Sequence, residues 1–287
     1  MLASADPVFT PGSKTEYSNT NFLLLSYIIE DICKKEYQEV LVERILSKIN
    51  LDDTYFENAA DSVLKKSKSY KYFNSKWAQQ YETVASNHKG AGAIVSTPAD
   101  LVFFIDALFS NRLLSKGSLQ TMTKILDGYG MGIFPFSYNN SEVAYGHEGR
   151  IDEFYTTLIH FPNENISIAY CTNGILYPRD DIMKKVTAIC FNQPTTIPDL
   201  KSFQTDVQSL KQYAGHYSSS FMPFSVECRI HNNNLILTTQ GQDFDTKQID
   251  INYFANFDFG YFFEFVPDKG ELVVKETDNN YLLRKNK

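Results

Sequence analysis

The chain has 287 residues, of which 43% are hydrophobic and 14% aromatic, and its formal net charge is −7. Its length suits one large domain plus a small one, and its apolar content suffices for a sizeable core, which excludes the disordered classes. A nucleic-acid-binding surface needs a basic stripe. The strongest basic run, KKSKSYKY at 65–72, is short and typical of a solvated loop. We therefore expect no nucleic-acid partner.

The apolar runs are too short to cross a membrane. The stretch NFLLLSYII at 21–29 is far shorter than the roughly 20 residues that a spanning helix needs. The start, MLASADPVF, lacks a basic region followed by a long apolar run, so we expect no signal peptide in this chain.

The four cysteines, Cys33, Cys171, Cys190 and Cys228, are widely scattered and form no C-x-x-C pair. This spacing predicts neither a zinc site nor a redox motif, and it does not make a disulfide framework. We expect no metal and no cofactor, and the cysteines leave the compartment open.

The first predicted element is a helix over 18–35. Ser18, Asn19 or Thr20 can cap it, and apolar residues recur behind them at helical spacing.

A second amphipathic helix is predicted at about 37–49, and the polar stretch 52–92 is expected to be irregular. STPADLVFFIDALFSNRLL at 96–114 has a sharp helix start. Its leading Ser-Thr can cap the helix, the proline fits the first turn, and the aspartate complements the helix dipole.

The spacing of apolar residues then changes from the helical period to the alternation that is typical of strands. EVAYGHEGR at 142–150, FYTTLIHF at 154–161 and ISIAYCTN at 166–173 predict three strands. Because PNEN at 162–165 is a turn, the last two should form an antiparallel hairpin.

The remaining chain predicts a helix at 178–191, then NQPTTIPDLKS at 192–202, a stretch typical of a linker. Short strands with turns at HNNN and PDKG follow, which indicates a small antiparallel meander or barrel. The expected division is a first domain at 1–192, a linker at 193–206 and a β domain at 207–287.

Three features occur in order along the first domain. Tyr17-x-Asn19 opens the first helix, and GAGAIVSTPADLVFFIDALF is a glycine-rich turn that runs into the capped helix. YGMGIF is then followed by YGHEGRIDEF, which places His147-x-Gly149 on a strand.

In this order the features resemble the second half of the penicillin-recognising serine hydrolases, in the branch of class C β-lactamases, D-amino-acid peptidases and esterases. The resemblance covers about 9–191, and 207–287 resembles the lipocalin-like or barrel-like domain that many such enzymes carry. It implies an α+β fold with two parts. The first is a β-lactamase/transpeptidase-like antiparallel sheet flanked by helices, which is incomplete at its N-terminus. The second is a small all-β domain. The relatives are usually exported from bacterial cells, which implies an exported or periplasmic location.

The family's chemistry is acyl transfer through a serine ester, with a Ser-x-x-Lys pair as nucleophile and activating amine. By this resemblance Tyr17 is the base, Asn19 the amide clamp, His147 the third polar group and Gly149 a close-approach position. The backbone N–H of Arg150 is one oxyanion donor. A histidine in place of lysine favours the peptidase and esterase relatives over the β-lactamases.

Each residue also has a simpler interpretation. Tyr17 is one of 18 tyrosines, and Asn19 can be a helix cap. His147 can pair with Glu148 at the surface, and Gly149 can relieve crowding at a strand bend.

The nucleophile departs from the family pattern. No Ser-x-x-Lys lies among the sixteen residues before Tyr17, and the two that follow are Ser62 to Lys65 and Ser86 to Lys89, both in the polar stretch. We therefore expect the C-terminal portion of a serine hydrolase, inactive alone.

Three functions remain open at this point. The first is part of an enzyme for peptide, amide or ester substrates. The second is a pseudo-enzyme or binding module for D-amino-acid peptides, and the third is a scaffold. We also expect self-association through an uncovered sheet edge and helix face, because such surfaces favour pairing.

Overall fold

A computed structural model gives the structure of the protein and describes residues 6–57, 66–73, 75–138, 142–198, 200, 203, 206–277 and 279–286. The chain forms two compact units: Met1–Ser69 with Tyr81–Asn173, and Tyr70–Gln80 with Gly174–Lys287. The domain boundary at 192 and the linker at 193–206 remain predictions. Part of that linker lies outside the described residues.

The first unit holds most of the helices. They are α1 (Asn19–Cys33), α2 (Tyr37–Leu41), a π-helical turn (Val42–Leu46), α3 (Ser47–Ile49), a 3₁₀ turn (Ala85–Asn87), α4 (Lys89–Gly92), α5 (Pro98–Phe109) and α6 (Lys116–Met122). Its strands are β1 (Tyr55–Phe56), β4 (Ile94–Val95), β5 (Phe134–Tyr138), β6 (Glu142–Ile151), β7 (Phe154–Phe161) and β8 (Ile166–Thr172).

An antiparallel sheet of order β5-β6-β7-β8 is the platform of the first unit. The three predicted strands are present, and β7 and β8 form the predicted hairpin. Helix α5 packs against β7 and β8. Thr97 caps α5 by accepting a hydrogen bond from the Asp100 N–H at 3.2 Å, as the sequence indicated.

Helix α1 has an unusual burial pattern. Ser26 is its only buried residue, whereas Leu24, Leu25, Ile28 and Ile32 are 42–74% exposed. The apolar spacing predicted the helix correctly, but its one fully buried position is a small side chain, and these four large ones are exposed.

Two glycines of α4 explain this pattern. A Cβ atom on Gly90 would lie 2.5 Å from the carbonyl oxygen of Phe22 and 2.7 Å from the Cβ of Ser26. A Cβ on Gly92 would lie 2.9 Å from the Cδ1 of Ile151, at the end of β6. Helix α4 therefore packs closely against both α1 and β6, and the GAGA sequence permits that approach.

The prediction that 52–92 is irregular was wrong. Strand β1 pairs with β4, and the 3₁₀ turn and α4 lie at the end of the stretch. Its polar residues serve tertiary contacts: Lys66 Nζ lies 2.6 Å from Glu57 Oε1 and 3.0 Å from Glu82 Oε2. Such contacts join segments distant in sequence and leave no local period.

The second unit contains the hairpin of β2 (Tyr70–Phe73) and β3 (Lys76–Gln79), α7 (Arg179–Cys190) and a 3₁₀ turn (Ser209–Gln212). Its larger sheet comprises β9 (Gly215–Ser218), β10 (Ser225–His231), β11 (Asn234–Thr239), β12 (Gln242–Asp245), β13 (Lys247–Asp250), β14 (Tyr253–Asn256), β15 (Tyr261–Val266), a 3₁₀ turn (Pro267–Lys269), β16 (Glu271–Lys275) and β17 (Asn280–Lys285).

This larger sheet is antiparallel and nearly closed. Its strands follow the order β12-β11-β10-β9-β17-β16-β15-β14-β13, and only Thr246 separates the two edge strands in the chain. The predicted all-β unit is thus present, whereas its likeness to a lipocalin remains a prediction.

A buried ion pair joins α7 to this sheet. Lys275 Nζ lies 2.6 Å from Asp181 Oδ1, and Tyr253 donates a hydrogen bond to the other carboxylate oxygen. All three residues are less than 9% exposed. In the described part of the chain, no helix is both long and apolar enough to span a membrane.

Replacing Gly90 tests the contact between α4 and α1. We expect Gly90→Ala to lower the free energy of unfolding by about 1–3 kcal/mol, because the new methyl group overlaps backbone as well as side-chain atoms. Urea unfolding followed by far-UV circular dichroism measures the change. The control is Gly117→Ala in α6, where the new Cβ meets nothing within 4 Å. Equal stability of the two variants would contradict close packing at Gly90.

Candidate active site

Tyr17 and Asn19 are joined directly. The Tyr17 hydroxyl donates a hydrogen bond to Asn19 Oδ1 at 2.9 Å. Ser18 is the N-cap residue of α1 and makes no side-chain cap hydrogen bond. The interpretation of Asn19 as the cap was therefore wrong. Its Oδ1 is held by Tyr17, which leaves the amide nitrogen as a donor.

His147 lies against the same tyrosine. The ring centroids of Tyr17 and His147 are 6.0 Å apart, and Phe134 lies 5.7 Å from the first and 4.5 Å from the second. Phe22 lies 5.7 Å from Tyr17, and Tyr129 lies 5.5 Å from Phe134. The structure thus brings the Tyr-x-Asn and His-x-Gly motifs together inside an aromatic cluster.

The tautomer of His147 follows from its hydrogen bond. Its Nδ1 bonds the carbonyl oxygen of Glu148, and a carbonyl can only accept. Nδ1 therefore carries the proton, so Nε2 of the neutral ring is an acceptor. Burial lowers the pKa of His147 and outweighs the opposing effect of this hydrogen bond. The ring is neutral at pH 7, and Nε2 can take up a proton.

Tyr17 has the opposite tendency. Burial raises the pKa of its hydroxyl above the ordinary value of 10.0. In this arrangement Tyr17 holds its proton at neutral pH and acts as a donor to Asn19. Tyr17 could act as a base only with a cation beside it, because a nearby positive charge favours the phenolate.

Gly149 and Arg150 lie further along β6. A Cβ on Gly149 would meet Thr156 Oγ1 at 2.7 Å, so the glycine makes room for a neighbouring strand's side chain. The Arg150 guanidinium lies 4.8 Å above the ring of Tyr155 and 3.4 Å from Glu153 Oε1. Its side chain serves the hairpin, and the oxyanion role of its backbone N–H remains a prediction.

Of the two Ser-x-x-Lys pairs, only Ser86 and Lys89 lie among the described residues, and they show no assembled nucleophile. Ser62 and Lys65 lie outside the described residues. Ser86 is exposed in a 3₁₀ turn, and Lys89 Nζ binds the carboxylate of Glu30. Lys89 Nζ is thus engaged by a carboxylate and forms no hydrogen bond with Ser86 among the described residues.

The aromatic cluster was missed by the sequence analysis. Phe134 and Tyr129 belong to the YGMGIF stretch, and Phe22 belongs to the apolar run that forms α1. Aromatic spacing alone does not show which rings meet. Across the described ranges, no group of three or more His, Cys, Asp or Glu side chains is arranged to hold a metal ion.

Removing one ring tests how burial controls His147. We expect the His147 pKa to lie below about 6.5, the ordinary value for histidine, and to rise towards it in Phe134→Ala. An NMR pH titration of the imidazole measures both the pKa and the tautomer. Phe221→Ala is the control, since Phe221 is 92% exposed. A His147 pKa unchanged by Phe134→Ala would rule out this cause.

The same shift has a consequence for stability. The pKa of His147 is lower in the folded chain than in the unfolded chain. At a pH between these two pKa values, the unfolded chain therefore binds more protons than the folded chain. The contribution of His147 to stability is therefore present above about pH 6.5 and is lost as pH falls through the folded pKa.

The chain is similar to several known proteins. The chain is 29% identical over 185 residues to the unguisins hydrolase of Aspergillus campestris, a match covering 57% of this chain and 34% of the relative. A D-stereospecific amidohydrolase from a Streptomyces species is 26% identical, with a TM-score of 0.51, covering 59% of this chain and 53% of that one.

A third relative matches nearly the whole chain. The octameric penicillin-binding protein homologue from Pyrococcus abyssi has a TM-score of 0.60 at 18% identity, covering 96% of this chain and 66% of that one. This likeness concerns the fold alone. The chain therefore spans between a third and two thirds of the length of these three relatives.

The family model described as Beta-lactamase matches residues 1–188 of the 287. The matched part contains Tyr17, Asn19, His147 and the sheet that carries the histidine. The chain therefore belongs to the beta-lactamase family, among the serine hydrolases similar to class C β-lactamases and penicillin-binding proteins.

Proposed function

We propose that the chain supplies the tyrosine–asparagine and histidine–glycine side of an acyl-serine hydrolase site for amide or ester bonds. The observation that carries the proposal is the contact between the Tyr17–Asn19 pair and the neutral ring of His147. Two polar motifs that lie far apart in sequence meet there, in a chain that belongs to the beta-lactamase family.

The geometry suits the recognition of a carbonyl group. Tyr17 fixes the orientation of the Asn19 amide, and the Asn19 Nδ2 group can then donate to the carbonyl oxygen of a substrate amide. His147 offers an acceptor at Nε2, which can bind a substrate N–H or take a proton from an attacking hydroxyl. The aromatic cluster partly buries the His147 ring, which favours its neutral form.

The names of two relatives support the substrate class. One is a D-stereospecific amidohydrolase and another a hydrolase of unguisins. We propose an amide substrate that contains a D-amino acid.

We further propose that residues 1–287 bind such a substrate without cleaving it. Lys89 is paired with Glu30, and Tyr17 holds its proton. Lys89 is therefore engaged by a carboxylate, and among the described residues His147 Nε2 has no serine hydroxyl bonded to it. The chain by itself is then a ligand-binding module, which is the second candidate function.

Binding without turnover gives a direct test. We expect D-phenylalanine amide to shift the NMR signals of Asn19 and His147, and no phenylalanine to be released. Tyr17→Phe should weaken binding about three- to tenfold, because the Asn19 amide loses its partner. Tyr81→Phe is the matched control, since Tyr81 is fully exposed.

Covalent labelling tests the absence of turnover separately. Intact-protein mass spectrometry after incubation with a fluorophosphonate and with a fluorescent penicillin should show no adduct. A stoichiometric adduct, mapped by peptide analysis to Ser62 or Ser86, would overturn the inactive assignment and leave the substrate-binding assignment intact.

We also propose that the chain self-associates. The relative from Pyrococcus abyssi is octameric by name, and α1 exposes Leu25, Ile28 and Ile32. Strand β8 is an edge strand of the sheet in the first unit. Large exposed apolar patches and strand edges favour pairing between copies.

Charges on the α1 surface test this proposal. We expect Ile28→Asp combined with Ile32→Asp to shift the chain towards monomer, because a second copy would have to bury the new carboxylates. Light scattering coupled to size-exclusion chromatography measures the mass at several concentrations. Ile251→Asp is the control at a residue 76% exposed. A monomeric unmodified chain at high concentration would exclude self-association.

A further inference from the structure

A cavity lies beside the start of β6 in the first unit. Its volume is about 460 Å³, which falls within the range typical of small-molecule sites, about 300–1,000 Å³. Its walls are the end of α5, the length of α6, the start of β6 and the β7–β8 turn. None of the five predicted site residues lines it.

The cavity has an aromatic floor. The ring centroids of Phe109 and Tyr145 are 6.1 Å apart, and Leu119 and Val143 complete the apolar part of the lining. Phe109 also packs at 4.4 Å on His160, which is 3% exposed. The floor is therefore fixed from below and is suited to an aromatic or branched apolar group.

Polar side chains surround this floor. Three carboxamides and one ammonium group line the cavity, from Asn111, Gln120, Asn163 and Lys116. In the part of the chain that the structure describes, these four side chains form no hydrogen bond or ion pair with other protein groups. Lys116 is the one charged residue of the described lining.

We infer that this cavity binds a small organic carboxylate that carries an aromatic or branched apolar body. A carboxylate only accepts hydrogen bonds, and the ammonium and the carboxamide N–H₂ groups are donors. One cation balances one negative charge, so a monoanion fits better than a phosphate dianion.

The site is separate from the proposed active site but lies on the same strand. Tyr145 and His147 are two residues apart on β6, so they share a face at a spacing of about 7 Å. The inference does not depend on the proposed hydrolase function, since its residues and its test are different.

Three matched probes test the inference on the full chain. Backbone amide NMR would follow titration with 3-phenylpropionate, its neutral amide 3-phenylpropanamide and the cation 3-phenylpropylamine. We expect the carboxylate to perturb signals at 109–123, 143–145 and 162–163. The amide and the amine should bind at least about tenfold more weakly, because they lack the anionic acceptor.

A charge-removing variant completes the test. Lys116→Gln should weaken binding of 3-phenylpropionate about five- to tenfold, whereas Lys124→Gln, an exposed lysine outside the lining, should leave it unchanged. Val143→Trp, which fills the cavity, should abolish binding. Equal affinity of the carboxylate and the amide, an unaffected Lys116→Gln variant, or shifts centred on Tyr17 and His147 would overturn the inference.

Discussion

The close approach of α4 to its neighbours is the constraint on which the candidate site depends. Gly90 lets the backbone of α1 come close, and Gly92 does the same for Ile151 at the end of β6. Helix α1 begins with Asn19, and β6 carries His147, so one short helix fixes the separation of the two motifs. A side chain at Gly90 would displace α1 and with it the Tyr17–Asn19 pair.

Desolvation, rather than charge, controls the electrostatics of the site. Burial raises the pKa of Tyr17 and lowers that of His147, so both rings are held neutral. Two neutral groups can orient and recognise an amide, and among the described residues neither ring is hydrogen-bonded to a serine hydroxyl. This is the reason for proposing binding for the chain, and for regarding a cation beside Tyr17 as the feature that would change its chemistry.

The sheet of the first unit is a common platform for the two proposed kinds of recognition. Strand β6 presents His147 within an aromatic cluster and, two residues earlier, Tyr145 at a cavity with a single ammonium group among its described lining. Alternation along a strand places both side chains on one face. In the second unit, the Lys275–Asp181 pair holds α7 against the nearly closed sheet, and a buried pair of this kind is costly to break from one side.

The sequence by itself determined the elements that have a local signal. The period of apolar residues predicted α1 and the strands of the sheet, and Thr97 with Asp100 marked the start of α5, because spacing and caps act within a few residues. The order of Tyr17-x-Asn19 and His147-x-Gly149 identified the family. Only the tertiary structure decided that Tyr17 binds Asn19, that Phe134 packs on His147, and that polar residues such as Lys66 order the stretch expected to be irregular. Tyr17 and Asn19 are neighbours in sequence, but the other contacts join different segments of the chain, and none of them is recorded in a local pattern of spacing.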